Sequence, residues 1–364
     1  MEILTRKSQI VPTISGLNPS DGSVWKTELK SAFRDSKSLL SFLELNPDDF
    51  PNWIEPDHSF PLLVTRSYAE RIKKHDASDP LLLQVLQPTP EMGTESKRLG
   101  GQKNRFGNFE AVSEGAWKSD PVGDVESQAI PGLLHKYAGR VLLIATGACA
   151  IHCRYCFRQN FDYSDSIING NLEAAINYVA ADDSIFEVIL SGGDPLMLVD
   201  SSLNSLIEAI EKIPHVEHLR LHTRLPIVLP SRISNGLIDL LSNRRLQTRM
   251  VVHTNHANEL NEEVGNAIAP LQRSGISVLN QTVLLKGIND SENELFELSK
   301  SLMRYQIAPY YLHLLDQVLG AENFWVAREK AVRLIEKLQR RLPGFAVPKL
   351  VKEISGQPHK TPVY

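Results

Sequence analysis

Three cysteines, Cys149, Cys153 and Cys156, are all the thiols in this chain of 364 residues, and they share one short stretch, Cys149-Ala-Ile-His-Cys-Arg-Tyr-Cys156. An odd number of thiols this close together suits neither a disulfide framework nor a secreted setting. Ligation is the better reading. A cubane of four irons and four sulfides needs a ligand on each iron, and clusters that only pass electrons usually take four thiolates. Three thiolates leave one iron open to a small molecule. Two plainer readings stand beside this one: a tetrahedral zinc completed by His152 or His222, and three reduced cysteines without metal.

Two other stretches could carry chemistry. Ser191-Gly192-Gly193-Asp194-Pro195 removes the Cβ at two successive positions, which allows close backbone approach to a ligand, although GGDP alone is more often a turn. Lys360 stands four residues before the last residue, Tyr364, where a lysine is ordinarily a solvated charge.

These groups need elements to hold them. After Arg140 the chain repeats short β-branched runs, RVLLIAT, FEVILSGG, VEHLRLHTR, RMVVHTN, ISVLNQTVLL and APYYLHLL, each followed by a longer amphipathic stretch. Six β-then-α units predict a parallel sheet wound as a partial (β/α)6 barrel, an α/β fold. In such barrels chemistry gathers at the C-terminal ends of the strands. Polar groups follow or close these runs: the cysteine loop, SGGDP, His222 to Arg224, His253 and Asn255, Gln281, then His313 and Asp316. Before the barrel, SVWKTELKSAFRDSKSLLSFLEL and LLVTRSYAERIKKH have helical spacing, and residues 87–124 are rich in Pro, Gly, Ser, Asn and Lys, as in a linker. The expected division is a helical N-terminal segment with linker at 1–130, the partial barrel at 131–342 and a C-terminal segment at 343–364.

A formal charge of −4, a hydrophobic content of 42% and 23% charged residues describe an ordinary soluble protein without the basic excess of a nucleic-acid binder. The opening residues hold no apolar run of signal-peptide length, and no later run approaches ~18 apolar residues. A cytoplasmic protein with no membrane span is expected.

Cys-x3-Cys-x2-Cys with Tyr155 before the last cysteine resembles the radical S-adenosylmethionine enzymes, in which the open iron chelates S-adenosylmethionine and an electron from the 4Fe-4S cluster cleaves it to an adenosyl radical. Ser191, Gly192, Gly193 and Asp194 resemble that family's glycine motif at the cofactor's amino end. FAVPKLVKEISGQPHKTPVY further resembles the C-terminal segment of the lysine 2,3-aminomutases, where the lysine before Thr-Pro forms a Schiff base with pyridoxal 5′-phosphate. That lysine is Lys360, which would need a site that keeps its amine neutral. The likeness runs from about Leu62 to the terminus, through DPVGD, SGGDPL, HTNHANEL and NQTVLLKGIND. PGLLHKYAGRVLL most resembles the branch that makes (R)-β-lysine for elongation factor P.

By this resemblance Arg158 would grip the substrate carboxylate, and Asp316 and Glu353 the ε-ammonium of L-lysine. Glu353 replaces an aspartate, one methylene shorter. Lys136, Tyr137 and Arg140 stand where the family holds the pyridoxal phosphate group, with Lys136 in place of an arginine, and a plain salt bridge is the competing reading of Arg140. His253, Asn255, His256 and Gln281 look like cofactor-side residues, though such groups also serve structural hydrogen bonds. The resemblance further implies an electron donor such as a flavodoxin, and a functional link to elongation factor P and its lysyl ligase. The alternatives are an aminomutase for metabolism acting on lysine or another amino acid, a radical enzyme without pyridoxal phosphate, and a zinc-holding binding module.

Overall fold

The structure, a computed structural model, describes residues 24–50, 53, 60–86, 116–164, 166–168 and 170–364. Three short helices open it: α1 (Val24–Lys30), α2 (Ser36–Phe42) and α3 (Arg66–Ala69). The first expected helical stretch is divided because Asp35 caps α2, accepting from Ser38 N at 2.8 Å, while Phe33 leaves to bridge with Val64. The second stops at Ala69: the Asp79 carboxylate accepts from Lys73 N, Leu81 N and Leu82 N and draws the backbone into turns. Most of the expected linker, residues 87–115, lies outside the described residues.

The sheet follows: β1 (Gln128–Ile130), β2 (Leu133–Tyr137), β3 (Arg140–Thr146), helix α4 (Leu172–Ala181), β4 (Glu187–Gly192), α5 (Asp200–Glu211), β5 (His218–Thr223), α6 (Leu225–Val228), α7 (Asn235–Ser242), β6 (Gln247–His253), α8 (Glu262–Arg273), β7 (Ser277–Val283), α9 (Glu292–Arg304), β8 (Ala308–His313), α10 (Arg328–Arg341), β9 (Lys349–Lys352) and β10 (Thr361–Pro362). The ten strands lie side by side in chain order. Strands β3 to β9 are parallel neighbours, while β1–β2–β3 and β9–β10 are antiparallel at the two edges. The six βα units begin at β3 and end with α10, as the period of the apolar runs predicts. The C-terminal segment contributes a seventh parallel strand.

The sheet is curled into a partial barrel. Tyr137 at the end of β2 bonds through its hydroxyl to Glu353 just after β9, at 2.5 Å. In a flat sheet those strands would stand roughly 34 Å apart, seven spacings of ~4.8 Å. The main core, with Leu143, Val188, Leu219 and Met250 on the strands and Leu203, Leu241 and Val264 on the helices, extends without a break to Leu39, Tyr68 and Leu82 of the N-terminal part. Among the described residues no helix is long and apolar enough to cross a membrane.

Candidate active site

A cavity of about 390 Å³ opens at the C-terminal ends of the parallel strands. Its floor is made where the loop after β3 meets the end of β4. Gly193 N donates to Thr146 O at 2.7 Å and Asp194 N to Ala148 O at 2.8 Å. A Cβ on Gly192, whose φ is +120°, would lie 2.4 Å from Thr146 O, and one on Gly193 would lie 2.4 Å from Ala148 O. Both glycines are therefore demanded by rigid backbone. Asp194 accepts from Thr223 Oγ1 and from three backbone N–H groups, which favour its ionised form against burial that carries it up to about 6.

Cys149, Cys153 and Cys156 line this cavity. Their loop is tied to the N-terminal part, His152 N donating to Leu63 O at 2.9 Å and Arg154 N to Gln84 O at 2.8 Å. Burial and the neighbouring thiols push the Cys149 thiol well up, and burial with Cys153 pushes Cys156 up to about 11. His152 turns toward the same N-terminal part: its Nδ1 meets Pro61 O at 2.7 Å and its ring stacks on Phe60. Among the described residues no three His, Cys, Asp or Glu side chains close around a single metal ion. Zinc would require donors at about 2.0–2.3 Å from one centre, whereas a four-iron cubane takes one thiolate on each of three irons.

At the other end of the cavity the β9–β10 hairpin brings Lys360 back beside Glu353, Nζ to Oε2 at 2.5 Å. Glu353 Oε1 accepts from Tyr137 and lies 3.9 Å from Lys136 Nζ. Burial alone would raise the Glu353 carboxyl, but the Lys360 ammonium, with Tyr137 and Lys136, holds it below the usual range. Arg140 packs its guanidinium over the Tyr137 ring, 4.9 Å from the centroid. Asp316 lines the same cavity, and its carboxylate has no hydrogen-bond partner among the described residues. Burial, against the opposing pull of Lys360, pushes it up to about 7.

Arg158 is 7% exposed. Its Nε donates to Asp124 Oδ2 at 2.7 Å and its Nη1 to Ser191 Oγ and Gly192 O. Gln281 and His253 also line the cavity. Burial and the Arg224 charge lower His253 to about 4, so its imidazole is neutral, and Nε2 donates to Asn255 Oδ1 at 3.2 Å. Asn255 and His256 stand behind the wall. Asn255 is fully buried and binds Gln84 Oε1 and Val283 N, and His256 turns to Glu294. Both sit in the turn after β6, where the Glu259 carboxylate accepts from Asn255 N and His256 N.

Of the other residues at the site, Asp124 is not singled out in the sequence, and Arg224, His222 and His313 enter only as polar groups at the strand ends, His222 also as a possible zinc ligand. Asp124, 2% exposed, joins Arg158 to Lys136, whose Nζ lies 2.6 Å from Oδ1. Arg224 reaches from the Cys153 sulfur and Tyr155 Oη to Gln84 and Glu259. His222 and His313 keep buried Nε2 atoms without partners among the described residues; burial holds both rings neutral, with the Arg220 and Lys360 charges at His222 and the Lys360 charge at His313. The available signals were the second aspartate of DPVGD and the charged residue closing HTR.

A partial parallel barrel with three thiols and a glycine cradle at one mouth is the architecture of a radical S-adenosylmethionine enzyme. A family model described as a 4Fe-4S single cluster domain matches residues 138–221, which include the three cysteines and both glycines. The L-lysine 2,3-aminomutase of Haemophilus influenzae is 42% identical over 93% of this chain and 94% of its own length. That of Escherichia coli is 39% identical over 95% and 96%. The chain belongs to the L-lysine 2,3-aminomutase family. A radical SAM methyltransferase from Sphaerobacter thermophilus is similar over 62% of this chain and 72% of its own, at 16% identity and a TM-score of 0.44, a likeness too loose to add to that assignment.

The residues present fit the groups such an enzyme uses. The thiols and the glycine cradle offer ligands and close approach at one end, and the basic cluster of Lys136, Arg140 and Lys360 offers charge to a phosphate at the other. The Nε2 atoms of His222 and His313 mark polar positions that no group among the described residues fills.

Proposed function

We propose that the protein converts L-lysine to β-lysine by moving the α-amino group to the adjacent carbon, and that the product is the (R) enantiomer used to modify elongation factor P. The observation that carries the lysine reading is Asp316, a carboxylate without a partner among the described residues, in the same cavity as the three thiols and Lys360. A carboxyl in that state, raised because the cavity disfavours its ionised form, calls for a cation. When bound, the cluster with S-adenosylmethionine supplies a carbon-centred radical, and pyridoxal phosphate supplies a covalent hold on the amino group that moves.

The chain's own residues bind and orient. Cys149, Cys153 and Cys156 hold the cluster, and Ser191, Gly192, Gly193 and Asp194 border the adenosyl cofactor with His253 and Gln281. Lys360 carries pyridoxal phosphate, with Lys136, Tyr137 and Arg140 toward its phosphate. Arg158 takes the substrate carboxylate, and Asp316 with Glu353 takes the distal ammonium. Two carboxylates there favour lysine over an amino acid with an acidic side chain, which they would repel. The cavity walls exclude stray hydrogen donors by keeping the reacting carbon close to its partner. The finer assignment, supply to elongation factor P, is supported by the likeness of PGLLHKYAGRVLL to that branch.

The test is anaerobic reconstitution with iron and sulfide, followed by S-adenosylmethionine, pyridoxal phosphate, a reductant and L-lysine. Accumulation of β-lysine, lost in Lys360→Ala, is the expected result; adenosyl cleavage with no β-lysine would refute the substrate reading. Chiral chromatography of the product, and loss of the β-lysyl mass from elongation factor P in a strain lacking this gene, test the finer part.

A further inference from the structure

Resting on that reading, we propose that Asp124 is the positioning residue of the site: it sets the one free edge of Arg158 toward the substrate carboxylate and holds Lys136 ready between the two clamps. A guanidinium has three nitrogens, and the protein has already engaged two of Arg158's. Nε is held by Asp124 Oδ2 at 2.7 Å, and Nη1 by Ser191 Oγ at 3.3 Å and Gly192 O at 3.2 Å. Among the described residues Nη2 has no hydrogen-bond partner, so its two N–H groups are the ones left for a ligand. The Nε contact fixes the rotation of the guanidinium plane, and with it where Nη2 points.

The other oxygen of Asp124 lies 2.6 Å from Lys136 Nζ, and Lys136 lies 3.9 Å from Glu353, itself paired with Lys360. Charges alternate along this wall: Arg158, Asp124, Lys136, Glu353, Lys360. Asp124 stands between Arg158 and Lys136, and among the described residues no other charged group bonds to its carboxylate. Its own place is fixed locally, since Asp124 N donates to Asp120 Oδ1 at 3.0 Å. An amide at this position cannot do the same work. Its oxygen can accept from one cation only, and its NH2 then faces the other. The largest consequence falls on ligands with a carboxylate, because Arg158 is held directly by Asp124, whereas Glu353 is reached only through Lys136.

The experiment measures binding without turnover, on the cluster- and pyridoxal-loaded enzyme with no reductant. L-lysine is compared with cadaverine, which has both amines and lacks the carboxylate. Asp124→Asn is expected to weaken L-lysine by about tenfold or more, the scale of truncating one partner of a buried charge pair, while cadaverine changes by less than about twofold. Asp124→Glu, which keeps the charge one methylene displaced, should lose less of the discrimination and serves where the amide variant does not fold. Equal weakening of both ligands would make Asp124 a purely structural residue and overturn the proposal, as would unchanged L-lysine affinity. If the wild-type protein binds no L-lysine, the functional reading fails and this inference falls with it. If the wild type favours lysine over cadaverine and the Asp124 variants do so equally, this inference alone is lost.

Discussion

Asp316 makes the site's hold on an ammonium responsive to pH. Its pKa near 7 in the ligand-free protein means that a neutral acid faces the cavity at pH 6 and a carboxylate at pH 8. Only the carboxylate pairs with an ammonium, so L-lysine affinity should rise with pH below 7, at most about tenfold per pH unit, and level off above it. The effect on stability has the opposite sign. The folded state holds this proton more tightly than the unfolded chain, so the contribution is fully present below the ordinary aspartate range and is lost as pH rises through about 7. Calorimetric titration with L-lysine across that range checks the first expectation. In Asp316→Asn the part of the pH dependence centred near 7 should vanish and affinity fall by about 2–3 kcal/mol, roughly a hundredfold. At this scale the types and spacing of Cys149, Cys153, Cys156 and Lys360 were legible, but partnerships were not. Lys360 and Glu353 are close in sequence, whereas Asp124, Arg158 and Lys136 meet only through folding, and nothing in DPVGD marks its last aspartate as buried.

The cysteine loop and the glycine turn form one element in two pieces, held by backbone hydrogen bonds between the ends of β3 and β4. Gly193→Ala drives a Cβ to within 2.4 Å of Ala148 O and 2.7 Å of Gly147 C, atoms that yield only if one loop moves off the other. The expected cost is about 1–3 kcal/mol, the usual price of overpacking. S-adenosylmethionine binding should weaken while iron content after reconstitution persists, because the alanine leaves all three thiols in place; equilibrium dialysis and iron analysis separate the two. The six barrel strands were legible because each long run has β-branched residues and turn signals around it, as in Arg140–Thr146 and Gln247–His253. The edge strands were not. Gln128–Ile130, Lys349–Lys352 and Thr361–Pro362 are too short for a period to emerge, and their strand character comes from the neighbour that they pair with. The reverse error occurred after Arg66, where a helical spacing was overruled by Asp79 hydrogen-bonding the backbone.

At the scale of the molecule the sheet has a seam, because its two edge strands, β1 and β10, do not pair with each other. Residues 117–127 run along it. Lys118 bridges to Val318, Trp117 sets its ring edge-on to Trp325, and Lys136 Nζ donates to Val122 O at 2.8 Å. Gly123 closes the seam against the loop that joins β9 to β10 and carries Lys360. Its φ is +68°, and a Cβ there would lie 2.3 Å from Ser355 Oγ. Gly123→Ala therefore carries two costs, a left-handed backbone of about 1–2 kcal/mol and a clash with a side chain that can rotate away. If the clash governs, Ser355→Gly in the same chain should restore most of the lost stability. If the backbone governs, it should restore almost none, and that is the expected result, because a serine hydroxyl yields more readily than a φ angle does. Melting temperatures of the two single variants and the double variant decide it. A full rescue would mean that the seam is held by the packing of Gly123 on Ser355, and pyridoxal phosphate affinity should then return with stability, since the same loop positions Lys360.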